Sequence, residues 1–332
     1  MKHKKLRLSL ILALFVVAMG AYTRLKDAGL GCPDWPNCFG YTNVYTAEQN
    51  LDTIKQNYPD LELDSEKAWL EMIHRYAAGL LGILIIVCAI IEIINAKKLH
   101  IISTVIIAAV CMQVTLGMLT VTENLIPTVV LSHLAGGFTI FSLLCIWYLS
   151  KKNTTLIKYN NCLPKAEKWA NYALAAIIIQ ICLGGWMAAN YAATTCTTFP
   201  ICEKNWYQNL QPIQAIIGFL GEHENYEFGV LNYNARMTIH VFHRFGAILT
   251  CILVGYFAFR LFKINQSKTN MFAKAILTIL SIQIALGVSH IFFKFPVYIG
   301  VMHNLFGLLL LATCVSIKYI LNISGKRMKH EI

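Results

Sequence analysis

Long apolar stretches alternate with polar ones along the whole chain. Eight apolar runs, with edges good to a few residues, cover 8–24, 72–95, 101–121, 129–150, 169–190, 237–262, 271–293 and 297–321. A helix needs roughly 20 apolar residues to cross a bilayer, and these runs meet or approach that length. Lipid offers no partner to backbone N–H and C=O groups, so a spanning segment must satisfy them internally. The runs are too long for barrel strands, which predicts helices. The fold expected is an all-α integral membrane protein of eight transmembrane helices with no large soluble domain. Residues 1–20 also have the form of a signal peptide, with a basic start, an apolar centre and Ala18-Met19-Gly20 as a cleavage site. An internal repeat favours reading the segment as a retained first helix.

The repeat is carried by polar and small residues at nearly constant offsets. Gly20, Cys32 and Cys38 recur 164 residues later as Gly184, Cys196 and Cys202. Glu71, His74 and Arg75 match His240, His243 and Arg244 at 169. Gln113, Gly117, His133 and Gly137 match Gln283, Gly287, His303 and Gly307 at 170. Self-similarity at a fixed period marks a duplicated unit. It predicts two repeated four-helix bundles, 1–150 and 169–332, joined by a linker at 151–168. The offset spans an even number of helices, so both halves have one orientation.

Charge then orients the helices. The chain is 57% hydrophobic with net charge +11 and mean hydropathy +0.55. The excess is not spread as a nucleic-acid-binding surface would be. Lys2, Lys4, Lys5 and Arg7 precede the first run, Lys97 and Lys98 follow the second, and Lys151, Lys152, Lys158 and Lys165 follow the fourth. Arg260, Lys263 and Lys268 follow the sixth, and Lys326, Arg327 and Lys329 close the chain. Alternate loops carry Asp52, Asp60, Glu62, Asp64, Glu222, Glu224 and Glu227. The positive-inside rule places both termini in the cytoplasm, in a multi-pass protein of the cytoplasmic membrane, with loops 25–70 and 191–236 outside.

His74, His133, His243 and His303 then fall near the starts of four helices that all run inward, at one depth toward the outer face. Ionisable groups in membrane spans are costly and read first as functional. Two facing helices in each half present one histidine each, which suits a haem plane held edge-on with iron bound by both imidazoles. For a lone histidine the competing account is a polar bridge between helices; four in register are harder to explain so. Zinc fits less well, because no third or fourth ligand recurs at this depth. Gly137 and Gly307 give room for a macrocycle or simply for close helix packing. His3, His100, His223 and His330 lie in tails and loops. His290 has Thr120 as its repeat partner and stays outside the ligand set.

Two cysteine pairs stand apart from the other seven cysteines. Cys32/Cys38 and Cys196/Cys202 each enclose five residues with a proline, in loops placed outside, where disulfides persist. Two intraloop disulfides are expected, either as staples over each bundle or as a redox relay beside a haem. Arg75 and Arg244 directly follow histidines and suit haem propionates, or they orient at the headgroups. Arg24 and Lys26 have no basic repeat partner. Glu71 sits one turn before His74 on the same helix face, where it could handle a proton or simply complement the helix dipole. Glu92 is expected at the opposite boundary, facing solvent.

These residues resemble those of the haem A synthases of cytochrome oxidase assembly. The resemblance is carried by Gly20-Ala-Tyr-Thr-Arg24 through Cys32-Pro-Asp-Trp-Pro-Asn-Cys38, by Glu71-Met-Ile-His74-Arg75, by His133-Leu-Ala-Gly-Gly137, by His243-Arg244 and by Met302-His303-Asn-Leu-Phe-Gly307. The paired cysteines resemble those of the bacterial subtype. The resemblance implies oxidation of the C8 methyl of haem O to a formyl group, giving haem A, with water as oxygen donor. It further implies haem B ligated by His243 and His303 in the C-terminal half. His74 and His133 would face haem O in the N-terminal half, and Glu71 would be the essential acid. Partners implied are haem O synthase and a quinone or other electron acceptor; the oligomeric state is open. The alternatives are a two-haem cytochrome passing electrons to quinone, which gives Glu71 no role, and a haem transporter.

Overall fold

In a computed structural model, the structure describes residues 2–96, 101–152, 157–158, 160–203, 205–221 and 223–328. Lys97, Lys98, His100, Glu222, Lys329 and His330 lie outside the described residues, as do the side chains of Lys2, His3, Lys326 and Arg327. Among the described residues eight helices are long and apolar enough to cross a membrane. They are α1 (Lys2–Leu25), α2 (Ser65–Ala96), α3 (Ile101–Thr122), α4 (Pro127–Lys151), α5 (Leu163–Ala189), α6 (Tyr233–Phe262), α7 (Ser267–Phe292) and α8 (Val297–Met328).

Several helices outrun their apolar runs, for local reasons. The α2 helix starts at Ser65 because Asp64 Oδ1 accepts the Lys67 N–H at 3.1 Å, satisfying an otherwise orphaned donor. Asn232 does the same for α6, accepting from Ala235 N–H at 2.9 Å. Polar first turns such as Ser65-Glu66-Lys67 are invisible to a hydropathy window yet form helix readily. At 32 residues α2 is about 48 Å long, so its ends extend past a hydrocarbon core of roughly 30 Å. Likewise, α5 begins at Leu163, inside the stretch expected as linker.

Packing closes two rings. The α1 helix packs on α2, α2 on α3, α3 on α4 and α4 back on α1; α5 to α8 close the same way. The rings touch through α1 with α8, and through α4 with α5 and α8. One continuous apolar core fills the half of the protein away from the disulfides, with Trp147, Phe257, Leu144 and Leu321 fully buried. Its members nearest the disulfide loops include Leu81, Phe138, Val254 and Leu308, each on the side of its helix's histidine away from those loops. Leu80, Ile83, Ile248 and Ile252 point outward, as lipid-facing positions should. Glu92 departs from expectation: it is buried and paired with Lys151. A carboxylate on an apolar helix is too costly to leave unpaired, and Lys151 at the end of α4 reaches it.

The two long loops cap the other end. The first carries short helices at Val44–Glu48 and Leu51–Asn57, the second one at Pro212–Ile217. Trp186 Nε1–H donates to the Ala215 carbonyl at 2.8 Å, pinning that last helix to the end of α5. This end also joins the rings. Arg24 donates to the carbonyls of Ala188 (2.8 Å) and Ala189 (3.3 Å) at the C-terminus of α5 and lies 4.0 Å over the Tyr191 ring. Tyr226 N–H donates to the Asn124 carbonyl at 3.0 Å, and Lys67 meets Glu227 at 3.9 Å.

Candidate functional site

The four histidines lie six to ten residues into their helices, about 9–15 Å from the disulfide-end termini. Each imidazole rests on a glycine of a neighbouring helix. A methyl group on Gly20 of α1 would come within 2.8 Å of His74 Cε1. On Gly117, Gly184 and Gly287 it would come within 3.0 Å of His133, 3.0 Å of His243 and 3.1 Å of His303. Side chains on even-numbered helices thus press against backbone on odd-numbered ones, which only glycine permits. The recurrence of Gly20, Gly117, Gly184 and Gly287 was legible in the sequence; its pairing with histidine was not.

In the second ring the pair is close enough to share one ligand. The His243 and His303 ring centres are 6.4 Å apart. Two imidazoles on one iron, each nitrogen roughly 2 Å from the metal, have ring centres about 6 Å apart. His303 Nδ1 is buried with no hydrogen-bond partner. This donor set and spacing fit a bis-imidazole haem. His290, which its repeat partner Thr120 concealed in the sequence, lies 5.9 Å from His303 between ring centres. His240, the counterpart of Glu71, donates from Nδ1 to the Ala192 carbonyl at 3.2 Å. Among the described residues the one cluster of three metal-capable side chains is Cys196, Cys202 and Glu203. Its two cysteines are bonded to each other and so are not thiolate ligands.

Glu71 is buried and uses both carboxylate oxygens. Oε2 accepts the Cys32 N–H at 2.9 Å, and Oε1 accepts from Arg75 Nη2 at 2.5 Å. Arg75 Nη1 also donates to the carbonyls of Asp34 (3.0 Å), Pro36 (3.2 Å) and Asn37 (2.6 Å). Arg244 repeats this in the second ring, donating to Thr198 (2.8 Å), Pro200 (3.1 Å) and Cys196 (2.9 Å) carbonyls. Both arginines, read in the sequence as propionate partners, therefore grip the disulfide loops. Guanidinium forks suit clustered carbonyls as well as carboxylates, and sequence does not say which they meet. In the second loop, burial acts to raise the Glu203 carboxyl, but hydrogen bonds from its own backbone, from Thr197 and from Tyr233 outweigh it and hold its pKa below the usual value.

Cys32–Cys38 and Cys196–Cys202 are both disulfides, with Cα atoms 4.7 Å and 4.9 Å apart. Alkylation of denatured, unreduced protein is expected to spare these four cysteines and modify the other seven. Mass mapping that finds any of the four freely alkylated contradicts the pairing.

A family model described as cytochrome oxidase assembly protein (COX15-CtaA) matches residues 5–315. The chain belongs to this family. A Heme A synthase of Shewanella oneidensis is 44% identical over 316 residues, covering 95% of each chain. Heme A synthases of Rickettsia felis and Rickettsia bellii are 23% and 26% identical, covering 97% and 92% of this chain and 98% and 94% of theirs. The similarity thus runs through all eight helices and both disulfide loops.

Proposed function

We propose that the protein is a haem A synthase, oxidising the C8 methyl of haem O to a formyl group. The observation that carries this is the 44% identity, across 95% of both chains, to a Heme A synthase. Haem O is placed between His74 and His133 in the ring of α1–α4. Haem B is placed between His243 and His303, supported by their 6.4 Å spacing. The N-terminal ring is then the substrate half and the C-terminal ring the cofactor half. Converting a methyl group and one water into a formyl group releases four protons and four electrons. Glu71 is the one carboxylate on α2 within a helical turn of His74, so it is assigned the proton-accepting role. Bound haem B supplies one-electron transfer toward an acceptor of the quinone class, because iron with two protein ligands has no open position for other chemistry. Arg75 and Arg244 serve the sites through the loops they hold, and the buried, unpaired Arg244 Nε–H is a donor left for a propionate. Haem O synthase is the partner class that supplies the substrate in the cytoplasmic membrane.

The test is expression in cells that make haem O but not haem A, followed by purification, haem extraction and mass identification. Haem A, or a partly oxidised haem O, together with haem B is expected. Haem B alone, with no haem A in the membranes, would leave an electron-carrying cytochrome instead.

A further inference from the structure

The loops over the two rings carry short helices of different character. Those of the first loop, Val44–Glu48 and Leu51–Asn57, include Glu48, Asp52 and Lys55, and Asp52 and Lys55 are exposed. Residues 205–221 of the second loop contain no charged side chain. Within them the helix Pro212–Ile217 buries Ala215, and Phe219 just beyond its end, against Leu231, Ala235 and Ile239. Its other side presents Ile213, Ile216, Ile217 and Leu220, spaced as one helix face and 49–71% exposed. A continuous apolar patch of this kind marks a surface that something covers.

The depth of this helix follows from what holds it. Gln211 N–H donates to Thr238 Oγ1 of α6 at 2.9 Å, and the Ala215 carbonyl accepts from Trp186 Nε1–H of α5 at 2.8 Å. A hydrocarbon core of roughly 30 Å spans about 20 residues of helix. Counted from Arg260, in the last turn of α6, that length reaches His240. Counted from Lys168, near the start of α5, it reaches Ala188. Thr238 and Trp186 each stand two residues from those positions. Tilt of either helix moves the boundary toward the loops and sets both partners deeper. Residues 211 and 215 are thus at one level, so the short helix runs along the edge of the hydrocarbon rather than above it.

We propose that the second loop is docked in the membrane, with Ile213, Ile216, Ile217 and Leu220 among the acyl chains of the leaflet on the disulfide side. An apolar face buried in the interface holds a helix in the membrane plane. Trp206 and Tyr207, in the turn before it, have the amphipathic rings that sit at headgroup level. The helix Leu51–Asn57, with its exposed charges, stays in water. His243 then lies five residues, about 7.5 Å, beneath the docked helix on α6.

The test uses the full-length protein in phosphatidylcholine vesicles that include a phosphatidylcholine with a photoactivatable diazirine in its acyl chain. After irradiation, lipid adducts are mapped by peptide mass spectrometry. Adducts are expected on 213–220 and on outward-facing span residues such as Ile83 and Ile248, with none on Leu51–Asn57. Hydroxyl-radical footprinting of the same vesicles should oxidise Leu51 and spare Ile213, Ile216 and Ile217. Adducts on the spans but not on 213–220 overturn the proposal. If radicals also spare the patch in that case, a protein covers it, and cross-links between copies would show that the occupant is a second copy of this chain. A variant carrying Ile213→Gln and Ile217→Gln leaves Ala215 and Phe219 seated. It is expected to lose the adducts on 213–220 and to gain oxidation at Ile216. If it is labelled as the wild type is, the apolar face does not hold the helix in the leaflet, and the proposal fails.

Discussion

Glu71→Gln is expected to lower haem A formation by about 10²–10⁴-fold, the contribution typical of a positioned general base. Glutamine keeps the volume of the side chain and one acceptor oxygen, so the Cys32 N–H at 2.9 Å can still be satisfied. Arg75 loses its carboxylate but retains the carbonyls of Asp34, Pro36 and Asn37. What the substitution removes is the negative charge and the capacity to take a proton, next to the histidine assigned to the substrate. Haem B should remain at wild-type content, because Glu71 lies on α2 and the ligands proposed for haem B lie on α6 and α8. Haem O or a partly oxidised intermediate should accumulate on the purified protein, read by extraction and mass. Wild-type production of haem A by the variant would confine Glu71 to anchoring the first loop. Loss of the whole protein from the membrane would make it a structural residue.

His243→Ala is expected to abolish tight haem B binding and, with it, haem A formation. An iron left with one imidazole loses its low-spin spectrum and the cooperative hold of two ligands. The fold should persist, because Gln180 donates to the backbone carbonyl of residue 243, not only to its side chain. Haem O should still be recovered from the first ring, unoxidised, because electrons have nowhere to go. A His243→Ala protein with the wild-type haem B content and spectrum would remove His243 from the ligand pair.

The eight spans were legible because hydropathy over about 20 residues is a strong, local signal. Their ends were not, because Asp64 and Asn232 start α2 and α6 by capping, several residues outside the apolar windows. Disulfide pairing was legible from matched spacing in loops. The histidines were legible because an ionisable group in an apolar run is rare. Their supports were only half so. Gln113 and Gln283 stood out as a repeated pair, but Gln180 did not, since its counterpart is Val16. Arg75 and Arg244 show the limit most plainly: the sequence gives a guanidinium beside a histidine, and only the folded loops reveal the carbonyls that take its hydrogen bonds. Glu92 needed α4 to be placed before Lys151 could be seen to reach it.

The solid half of the helix bundle away from the disulfides makes the proposed reaction one-sided. Trp147, Phe257, Leu144 and Leu321 fill the space below the histidines, and Glu92 is tied to Lys151 at the far boundary. Protons released at the level of Glu71 are therefore far closer to the loops than to the opposite face. In the proposed reaction four protons would leave toward the disulfide loops, and reduction of a quinone-class acceptor by the four electrons would take four up, so the chemistry as a whole releases none.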